Sequence, residues 1–413
     1  MTSSNGINML DVKKNNRSSL LHLVYHSDGI SRKAIAARLG LTPAAITLIV
    51  NDMLAEGLLA ETQMGTGPVK KGRKEVALTI PKSAYAVIGV YISQRRYRIT
   101  CMDLAMHELF SCMTFTADFH RNTEALLAAI AEDIRIQLEN RKIADNYHLI
   151  GMGVSTHGIV DTVRGISINS YHILDSNTPI ADYFQNIFHI PVLLMNNICA
   201  LTHAENFLSA STEAEENILL IKYGPGVGAA QALGPAAAPA IRDIQIGHMI
   251  VDPCGAACPC GSNGCLETIV SYDAIEHTLH HVINRHNAPA LWEFCGGDAN
   301  RINLEMILRA YSAGDSIVER MYDRVIMYLG LAVNNASRLF SPKKIILYGQ
   351  SFDNEHFRQS FFRELTGKYQ ISDVSISQFN LKLDVQAPAT AAISAFLDNG
   401  GYIPTADVPQ EQA

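Results

Sequence analysis

The sequence contains no run of about 20 consecutive apolar residues, which is the length that a helix needs to cross a bilayer. Its N-terminal residues are polar and basic, with Lys13, Lys14 and Arg17, and they lack the hydrophobic segment of a signal peptide. No internal sequence repeat is evident, and only residues 1–10 and 403–413 have the composition of disordered tails. We therefore expect a protein of the cytoplasm that does not insert into a membrane.

Charged residues are also sparse, at 18% of a chain of 413 residues, while apolar residues make up 48%. This composition is that of an ordinary soluble protein, and the length predicts two or three domains. The net charge of −7 is unevenly distributed, because residues 1–80 carry ten lysines and arginines against six acidic residues. A basic segment joined to an acidic body favours a polyanionic partner for that segment, although charge alone would equally allow no partner.

Residues 17–56 have the pattern of three helices. The first is predicted over 17–25 and the second over 33–39, with Ser31 as its N-cap and Gly40 at its end. Thr42 caps a third helix over 42–56, and Pro43 occupies its first position. The apolar residues of this third helix follow a helical period and form one buried stripe: Ile46, Ile49, Val50, Met53 and Leu54. Two short helices joined at a tight turn indicate a helix-turn-helix, with 42–56 as the recognition helix.

Two strands, 58–62 and 76–80, are predicted around a loop that contains four cations within five residues. Such a basic wing places cations on phosphates or in a minor groove. We therefore predict that residues 1–82 form a winged helix-turn-helix domain that binds double-stranded DNA. The alternative is a three-helix protein-interaction module with a solvated loop. The candidate DNA-binding residues are Ser31, Arg32, Thr42, Pro43, Ala44, Thr47, Asn51, Lys70, Lys71, Arg73 and Lys74.

A cysteine-rich segment near the middle of the chain has the spacing of a metal site. Thiolate sulfur and neutral imidazole are the ligands of tetrahedral Zn²⁺, and four protein ligands leave no position for a reacting water. We therefore predict a structural zinc ion, and the predicted ligands are His248, Cys258, Cys260 and Cys265. Cys254 is an alternative to His248, and a loop of reduced thiols without metal is the alternative to the whole site. The remaining cysteines are scattered, which fits a reducing compartment.

From residue 83 strands alternate with helices, which predicts an α/β fold with largely parallel sheets. The predicted strands are 85–92, 97–103, 147–155, 192–195, 217–223 and 343–348. The predicted helices are 123–138, 200–208, 315–339 and 389–396. The glycine-rich segment Gly224–Gly228 is a weak nucleotide signal on its own, and Pro225 lacks a backbone donor, so we predict a tight turn between two strands there.

Several segments together resemble the ROK family of repressors and sugar kinases. These segments are the cysteine-rich one, the strand 88–90, the turn 156–161, the pair Asn196 and Asn197, and Gly224–Gly228. The resemblance extends over about residues 10–400 and implies the actin-like, two-lobed sugar-kinase fold. With its N-terminal winged helix-turn-helix, the chain is similar to the family's repressors of the Mlc, NagC and xylose-repressor type. In that family the zinc is structural and its histidine also faces the sugar.

The resemblance implies three domains. Residues 1–82 would form the winged helix-turn-helix domain. Residues 83–198 together with 388–406 would form a smaller α/β lobe, and residues 199–387 a larger α/β lobe. The larger lobe would carry the zinc motif and the dimerisation surface.

Two requirements of a sugar kinase are missing. The family's kinases resemble Asp-x-Gly-Gly-Thr at the phosphate-binding hairpin, whereas this chain has Tyr91-Ile92-Ser93-Gln94-Arg95. The general base of the family is an aspartate after an asparagine, whereas Asn197 follows Asn196 here. An amide cannot accept the proton of a sugar hydroxyl. We therefore predict no enzymatic activity and no catalytic residues.

By resemblance, the sugar contacts of the family fall on Asn196, Asn197, Gln245, His248 and Glu267. Family members usually have glutamate at the position of Gln245, so two carboxylates of the usual set are amides here, Asn197 and Gln245. The lower negative charge would favour a phosphorylated or acidic sugar. The alternative is a vestigial pocket whose residues only pack.

We therefore predict a sugar-responsive transcriptional regulator, a repressor of carbohydrate uptake or catabolism genes. It would bind operator DNA as a homodimer or tetramer, because one recognition helix reads few bases, and it would bind a sugar or sugar-phosphate effector in a degenerate sugar-kinase cleft. Two alternatives belong to other classes. One is an ATP-dependent sugar kinase, and the other is a repressor controlled by a transporter protein that binds its surface.

Overall fold

The computed structural model describes residues 9–63, 76–119, 122–171, 173–209, 217–234, 240–379 and 382–402. These residues belong to two compact units, one built from residues up to 212 together with those from 383 onward, and the other from residues 213–382. The predicted tails lie outside the described residues except for Met9 and Leu10, which begin the first helix.

The helices of the described residues range in length from single turns to 25 residues. They are α1 (Met9–Tyr25), α2 (Arg32–Leu39), α3 (Pro43–Ala55), α4 (Thr123–Asn140), α5 (Ile143–Asn146), α6 (Ile180–Phe188), α7 (Asn197–Leu208), α8 (Glu267–Val270), α9 (Tyr272–Val282), α10 (Pro289–Phe294), α11 (Leu304–Ser312), α12 (Ser316–Phe340), α13 (Glu355–Lys368) and α14 (Leu383–Asp398).

The strands of the described residues form two five-stranded sheets, a three-stranded sheet and a hairpin. They are β1 (Ile30–Ser31), β2 (Ala60–Gln63), β3 (Val76–Thr79), β4 (Tyr85–Ile92), β5 (Arg96–Asp103), β6 (Glu108–Phe115), β7 (His148–Thr156), β8 (Ile159–Asp161), β9 (Ile166–Asn169), β10 (Val192–Asn196), β11 (Ile218–Tyr223), β12 (Val227–Leu233), β13 (Ala240–Ile244), β14 (Lys344–Tyr348) and β15 (Val374–Ile376).

The N-terminal part of the first unit has the predicted winged helix-turn-helix pattern. The helices α2 and α3 meet at 119°, and an antiparallel sheet has the order β1-β3-β2, with β1 before α2 and the other two strands after α3. The apolar stripe of α3 is buried as predicted at Ile46, Ile49, Val50 and Met53, whereas Leu54 is only half-buried. The structure corrects the first helix, which begins at Met9 rather than at Arg17, and adds the two-residue strand β1.

The central sheet of the first unit has the strand order β10-β7-β4-β5-β6. The pairs β10–β7 and β7–β4 are parallel, and the pairs β4–β5 and β5–β6 are antiparallel. The helix α4 packs on one face, where Leu126, Leu127 and Ile130 join the core. The helix α14 covers the other face, beside α7.

The sheet of the second unit has the order β13-β12-β11-β14-β15, again with two antiparallel and two parallel pairs. Each sheet therefore combines a three-stranded antiparallel meander with two parallel strands. The prediction of largely parallel sheets was wrong, because only a few residues separate the first three strands of each sheet in the sequence. A parallel pair needs a crossover of a dozen or more residues. The shared strand order is a repeat of topology that the sequence does not display.

The predicted boundary between lobes differs from the packing of α7. The sequence assigns residues 199–208 to the larger lobe, whereas in the structure α7 belongs to the first unit because it packs against α14. The division into three domains stays a prediction.

Within the described residues, no single helix is long and apolar enough to cross a membrane. The bent pair of α2 and α3 meets the length and composition criterion only when its two helices are taken together.

Close packing of α14 on the sheet depends on Gly153 in β7. A Cβ atom at this position would lie 1.7 Å from the carbonyl oxygen of Pro388 in α14. We expect Gly153→Ala to lower the free energy of unfolding by about 3 kcal/mol, because neither backbone can move without disturbing the core. Urea unfolding of the purified protein measures this loss.

The matched control is Gly367→Ala in α13, where a Cβ atom would meet no other atom within 4 Å. This change should be neutral or stabilising by up to about 1 kcal/mol, because alanine favours a helix over glycine. Equal effects of the two substitutions would contradict the close contact between β7 and α14.

Candidate functional site

The outward face of α3 carries small and polar side chains. Ala44, Thr47, Leu48 and Asn51 are exposed, and Leu48 is 69% exposed. The Thr47 hydroxyl donates to the Pro43 carbonyl oxygen over 2.7 Å, so it has only acceptor capacity left for another partner. Asn51 offers an acceptor and two donors, which is the pattern that pairs with adenine in a major groove. This face can therefore approach base edges.

Two of the predicted DNA contacts, Ser31 and Thr42, act as helix caps in the structure. The Ser31 hydroxyl accepts from the Ala34 N–H and the Thr42 hydroxyl accepts from the Ala45 N–H, each over 3.3 Å. Ser31 is buried, whereas Thr42 is exposed. Both hydroxyls fix the start of a helix and thereby the angle of the helix-turn-helix.

Arg32 lies where the helix-turn-helix meets the wing. Its guanidinium is 2.8 Å from the carboxylate of Glu61 in β2. A groove of about 400 Å³ runs beside it between α2 and α3, with Lys33, Pro43 and Thr47 on its walls. The remaining predicted contacts, Lys70, Lys71, Arg73 and Lys74, lie outside the described residues.

The structure brings the four predicted metal ligands of the second unit together. The ligand atoms of His248, Cys258, Cys260 and Cys265 all lie within 4.8 Å of one another. The Cys258 sulfur is 3.5 Å from His248 Nδ1, and the Cys260 and Cys265 sulfurs are 3.6 Å apart. Sulfur and nitrogen ligands around a small tetrahedral ion are separated by about 3.5–3.8 Å, so this donor set fits such an ion. Cys254 is exposed and is not part of the cluster.

Backbone hydrogen bonds hold the loop that carries the cluster. The Leu266 N–H donates to the Met249 carbonyl and the Val251 N–H to the Gly264 carbonyl, which closes the base of the loop. At its tip, the Cys258 N–H donates to the Ser262 carbonyl over 2.8 Å. The loop therefore has a defined conformation in which three thiols converge.

Burial raises the pKa of Cys265 to about 12 and also raises the pKa of Cys258. By contrast, a hydrogen bond from the Ser262 backbone lowers the pKa of Cys260. Buried thiols ionise only where a cation offsets their desolvation, and a metal ion at the centre of the cluster would provide that charge.

Three predicted effector contacts form a network around His248 in the second unit. Burial raises the pKa of Glu267, while His248 and the Val227 N–H favour its charged form. Burial likewise raises the pKa of Asp243, which accepts a hydrogen bond from the Gln245 amide and faces His248. His248 therefore lies between the thiol cluster and two carboxylates.

The glycine-rich turn between β11 and β12 packs against the carboxylate of Glu267. The sequence did not predict this contact. A Cβ atom on Gly226 would lie 2.5 Å from Glu267 Oε1, so a larger residue there would displace the carboxylate from its present position. The Pro225 carbonyl accepts from the Tyr272 N–H over 2.6 Å, which ties the turn to α9. The prediction of a strand-to-strand turn is confirmed, and its sequence signal was the spacing of its glycines.

The other two predicted effector contacts, Asn196 and Asn197, lie in the first unit where β10 leads into α7. The Asn196 side chain accepts from the Ile198 and Cys199 N–H groups and donates to the Gly158 carbonyl over 2.6 Å. It is a helix cap that is fully engaged with the backbone. Asn197 is the first residue of α7 and is partly exposed.

The hairpin that binds phosphate in sugar kinases has a different construction here. The Tyr91 hydroxyl lies 2.9 Å from His157 Nε2. The Ser93 N–H donates to the Arg96 carbonyl over 2.9 Å, so this donor is committed to the turn rather than to a phosphate. Tyr91, the residue at the place of the aspartate in the resembling kinase motif, therefore forms a phenol–imidazole pair with His157.

The geometry can be compared with known proteins. The sequence model of the ROK family matches residues 99–396 of the chain. The DNA-binding transcriptional dual regulator NagC of Escherichia coli is 28% identical over 349 residues, which cover 82% of this chain and 81% of NagC. The match thus extends beyond the region of the family model.

Solved structures show the same fold. A ROK family transcriptional regulator, described as a homolog of the E. coli Mlc protein, superposes with a TM-score of 0.76 at 22% identity over 94% of this chain and 98% of that one. A ROK family glucokinase from Streptomyces griseus, in complex with glucose and AMPPNP, superposes with a TM-score of 0.62 at 22% identity over 74% of this chain and 98% of that one. The predicted fold class, an α/β sugar-kinase fold with an N-terminal helix-turn-helix, is confirmed.

Proposed function

The chain belongs to the ROK family, and from this premise we propose that it is a sugar-responsive transcriptional regulator that represses carbohydrate uptake or catabolism genes. The observation that carries the proposal is the recognition helix, whose apolar stripe is buried while Ala44, Thr47 and Asn51 are exposed. A sugar kinase has no need of such a helix. The similarity to NagC, a DNA-binding regulator by name, supports the same function.

In this function Thr47 and Asn51 would contact base edges, and the cations of the wing would contact phosphates. The protein would work in the cytoplasm on palindromic operator DNA, as a homodimer or as a tetramer formed by two dimers. A mobility-shift assay on the DNA next to its own gene tests this function, with N-acetylglucosamine, glucose, xylose and their phosphate esters as effectors. Absence of specific DNA binding under all of these conditions would refute the proposal.

We expect Asn51→Ala to weaken operator binding by about 10–100-fold, because one bidentate base contact contributes about 1–3 kcal/mol of discrimination. Binding to unrelated DNA should stay the same, and the base preference at one position of each half-site should relax. Selection of binding sites from a random DNA library measures both effects.

The matched control for this test is Asn140→Ala, which removes an exposed amide from the end of α4. It should change neither affinity nor base preference. An Asn51→Ala protein with unaltered base preference would show that another face of α3 reads the DNA.

The metal proposed for the thiol cluster is Zn²⁺ in a structural role. Three sulfurs and one imidazole nitrogen at tetrahedral spacing support this choice, because they are soft donors and leave no free coordination position. The ion would hold the loop that leads directly into Glu267, and so one wall of the effector site.

The proposed effector is a sugar or sugar phosphate, and the residues proposed to contact it are Asn196, Asn197, Gln245, His248 and Glu267. Asn196 would position Asn197, since its own side chain caps α7. Isothermal titration with neutral and phosphorylated sugars tests whether the two amide replacements favour an anionic ligand. Equal or stronger binding of the neutral sugar would refute that preference.

We further propose that the protein is not an enzyme. The phenol–imidazole pair of Tyr91 and His157 and the amide of Asn197 support this proposal, because phosphoryl transfer needs a phosphate cradle and a base. A coupled assay of ADP release with the same sugars tests it, and turnover above the background would refute it. A transporter protein that binds the surface of the regulator is a second candidate partner. A pull-down with membranes tests this interaction.

A further inference from the structure

Two helices of the first unit, α7 and α14, lie side by side and both end against the winged helix-turn-helix. They pack against each other along the face of the central sheet that also contacts the first helix, α1. This arrangement places one continuous helical layer between the sheet and the DNA-binding module. The ends of the two helices contact different parts of that module.

The C-terminal end of α7 contacts α1 through Phe207. The Phe207 side chain is 1% exposed, and its ring centroid is 5.2 Å from that of Tyr25 and 4.9 Å from that of His26. On α7 itself, the imidazole of His203 stacks on Phe207 at 6.0 Å. An aromatic cluster of this kind fixes both the distance and the rotation of α1 relative to α7.

The C-terminal end of α14 contacts the recognition helix through Arg17. The Arg17 side chain is fully buried, and its Nε donates to the Gly400 carbonyl over 3.0 Å. The same guanidinium binds both carboxylate oxygens of Glu56, the C-cap of α3, at 2.9 and 2.5 Å. His22 of α1 adds a contact of 2.7 Å to Asp398.

The opposite end of α7 is the candidate effector residue Asn197. The helix has 12 residues and is therefore about 18 Å long. It begins at the residue assigned to the effector and ends at the aromatic cluster with α1. A shift or rotation of its first turn would reach the DNA-binding module through a single rigid element.

Both α7 and α1 contain buried polar atoms. His22 Nδ1 on α1 and His203 Nδ1, Thr202 Oγ1 and Asn206 Nδ2 on α7 have no hydrogen-bond partner among the described residues. Buried polar atoms of this kind disfavour the arrangement that contains them and favour one in which they are paired. An arrangement of α7 and α1 in which these atoms gain partners would therefore compete with the one that the aromatic cluster holds here.

We propose that α7 transmits effector binding to the DNA-binding module, and that Phe207 is the positioning residue that makes the connection. The proposal rests on the proposed function, because it names the regulation of that same effector site. Effector binding changes the position of the first turn of α7, and Phe207 carries this change to Tyr25 and His26. Coupling of this kind is the ratio of operator affinities with and without effector.

Phe207→Leu tests the proposal through that ratio. Operator affinity without effector and effector affinity without DNA should each stay within about threefold of the wild type. The ratio of operator affinities with and without effector should fall to near one. The effectors are N-acetylglucosamine, glucose, xylose and their phosphate esters. Tyr25→Leu should have the same effect. The double variant should lose no more of the effector response than either single variant, because both substitutions remove the same contact between the two rings.

The matched control is Phe184→Leu, which truncates an equally buried phenylalanine of α6 in the same unit. It should retain the wild-type response to effector. A Phe207→Leu protein with the full response, or a control that loses as much of the response, would overturn the proposal.

Amide hydrogen exchange gives a second readout that needs no effector. Phe207→Leu should increase exchange in α1 and also in the first turn of α7 at Asn197, whereas Phe184→Leu should change neither. An increase confined to the last turn of α7 would overturn the proposal. A wild-type protein that binds operator but responds to none of the sugars would refute the effector assignment alone.

Discussion

Cys258→Ser is expected to remove the metal from the chain and to destabilise the second unit. Small zinc domains gain about 10 kcal/mol or more from their metal. Loss of one of four ligands should therefore cost at least about 4 kcal/mol, the upper end of single-substitution effects. The reason is that the buried thiols of Cys258 and Cys265 depend on a cation for their ionisation. Zinc analysis of the purified protein and its thermal unfolding measure both effects.

Operator binding in the absence of effector should survive this change, because the DNA-binding module belongs to the first unit. The response to effector should be lost, since the metal loop leads into Glu267. The two readouts separate loss of the metal site from unfolding of the whole chain.

Cys254→Ser is the matched control, because this thiol is exposed, lies in the same loop and is not part of the cluster. It should leave the zinc content at one ion per chain. A Cys258→Ser protein with full zinc content, or a Cys254→Ser protein without zinc, would show that the ligand set has been assigned wrongly.

Replacement of Lys70, Lys71, Arg73 and Lys74 by alanine should weaken binding to every DNA sequence. Each cation that contacts a phosphate contributes about 1 to the slope of log affinity against log salt concentration, so the slope should fall by up to about 4. At 0.1 M salt, relative to 1 M, this is a loss of up to roughly ten-thousandfold if all four contact phosphates. Fluorescence anisotropy titrations over a range of salt concentrations measure the slope.

The matched control replaces four exposed arginines of the second unit, Arg285, Arg301, Arg320 and Arg324, by alanine. It changes the net charge of the chain by the same amount. If the control flattened the salt dependence as strongly as the wing variant, the attraction would come from the overall charge and not from the wing.

The DNA-binding module was the part most fully predicted from the sequence. Its third helix has an N-cap at Thr42, a proline at the first position and an apolar stripe of one period, and each of these signals acts within a few residues. The clustering of His248, Cys258, Cys260 and Cys265 was predicted for the same reason, because their spacing along the chain is short. Local signals of this kind do not depend on how the chain folds back on itself.

Features that depend on distant residues were not predicted. The helix α14 begins at Leu383 and runs through Pro388, although a proline favours a helix start at the next residues. Tertiary packing of its first turn outweighs that preference. The support of Glu267 by the Gly226 turn and the burial of Arg17 depend in the same way on segments that are remote in sequence.

The contact between Arg17 and Gly400 joins residues that are 383 positions apart. A ribosome releases the N-terminal module long before it has made the segment after α14, so this contact forms only after Gly400 has left the ribosome. Until then the Arg17–Glu56 pair lacks the carbonyl that completes its coordination. A residue that is translated much later than the recognition helix therefore helps to fix the orientation of that helix.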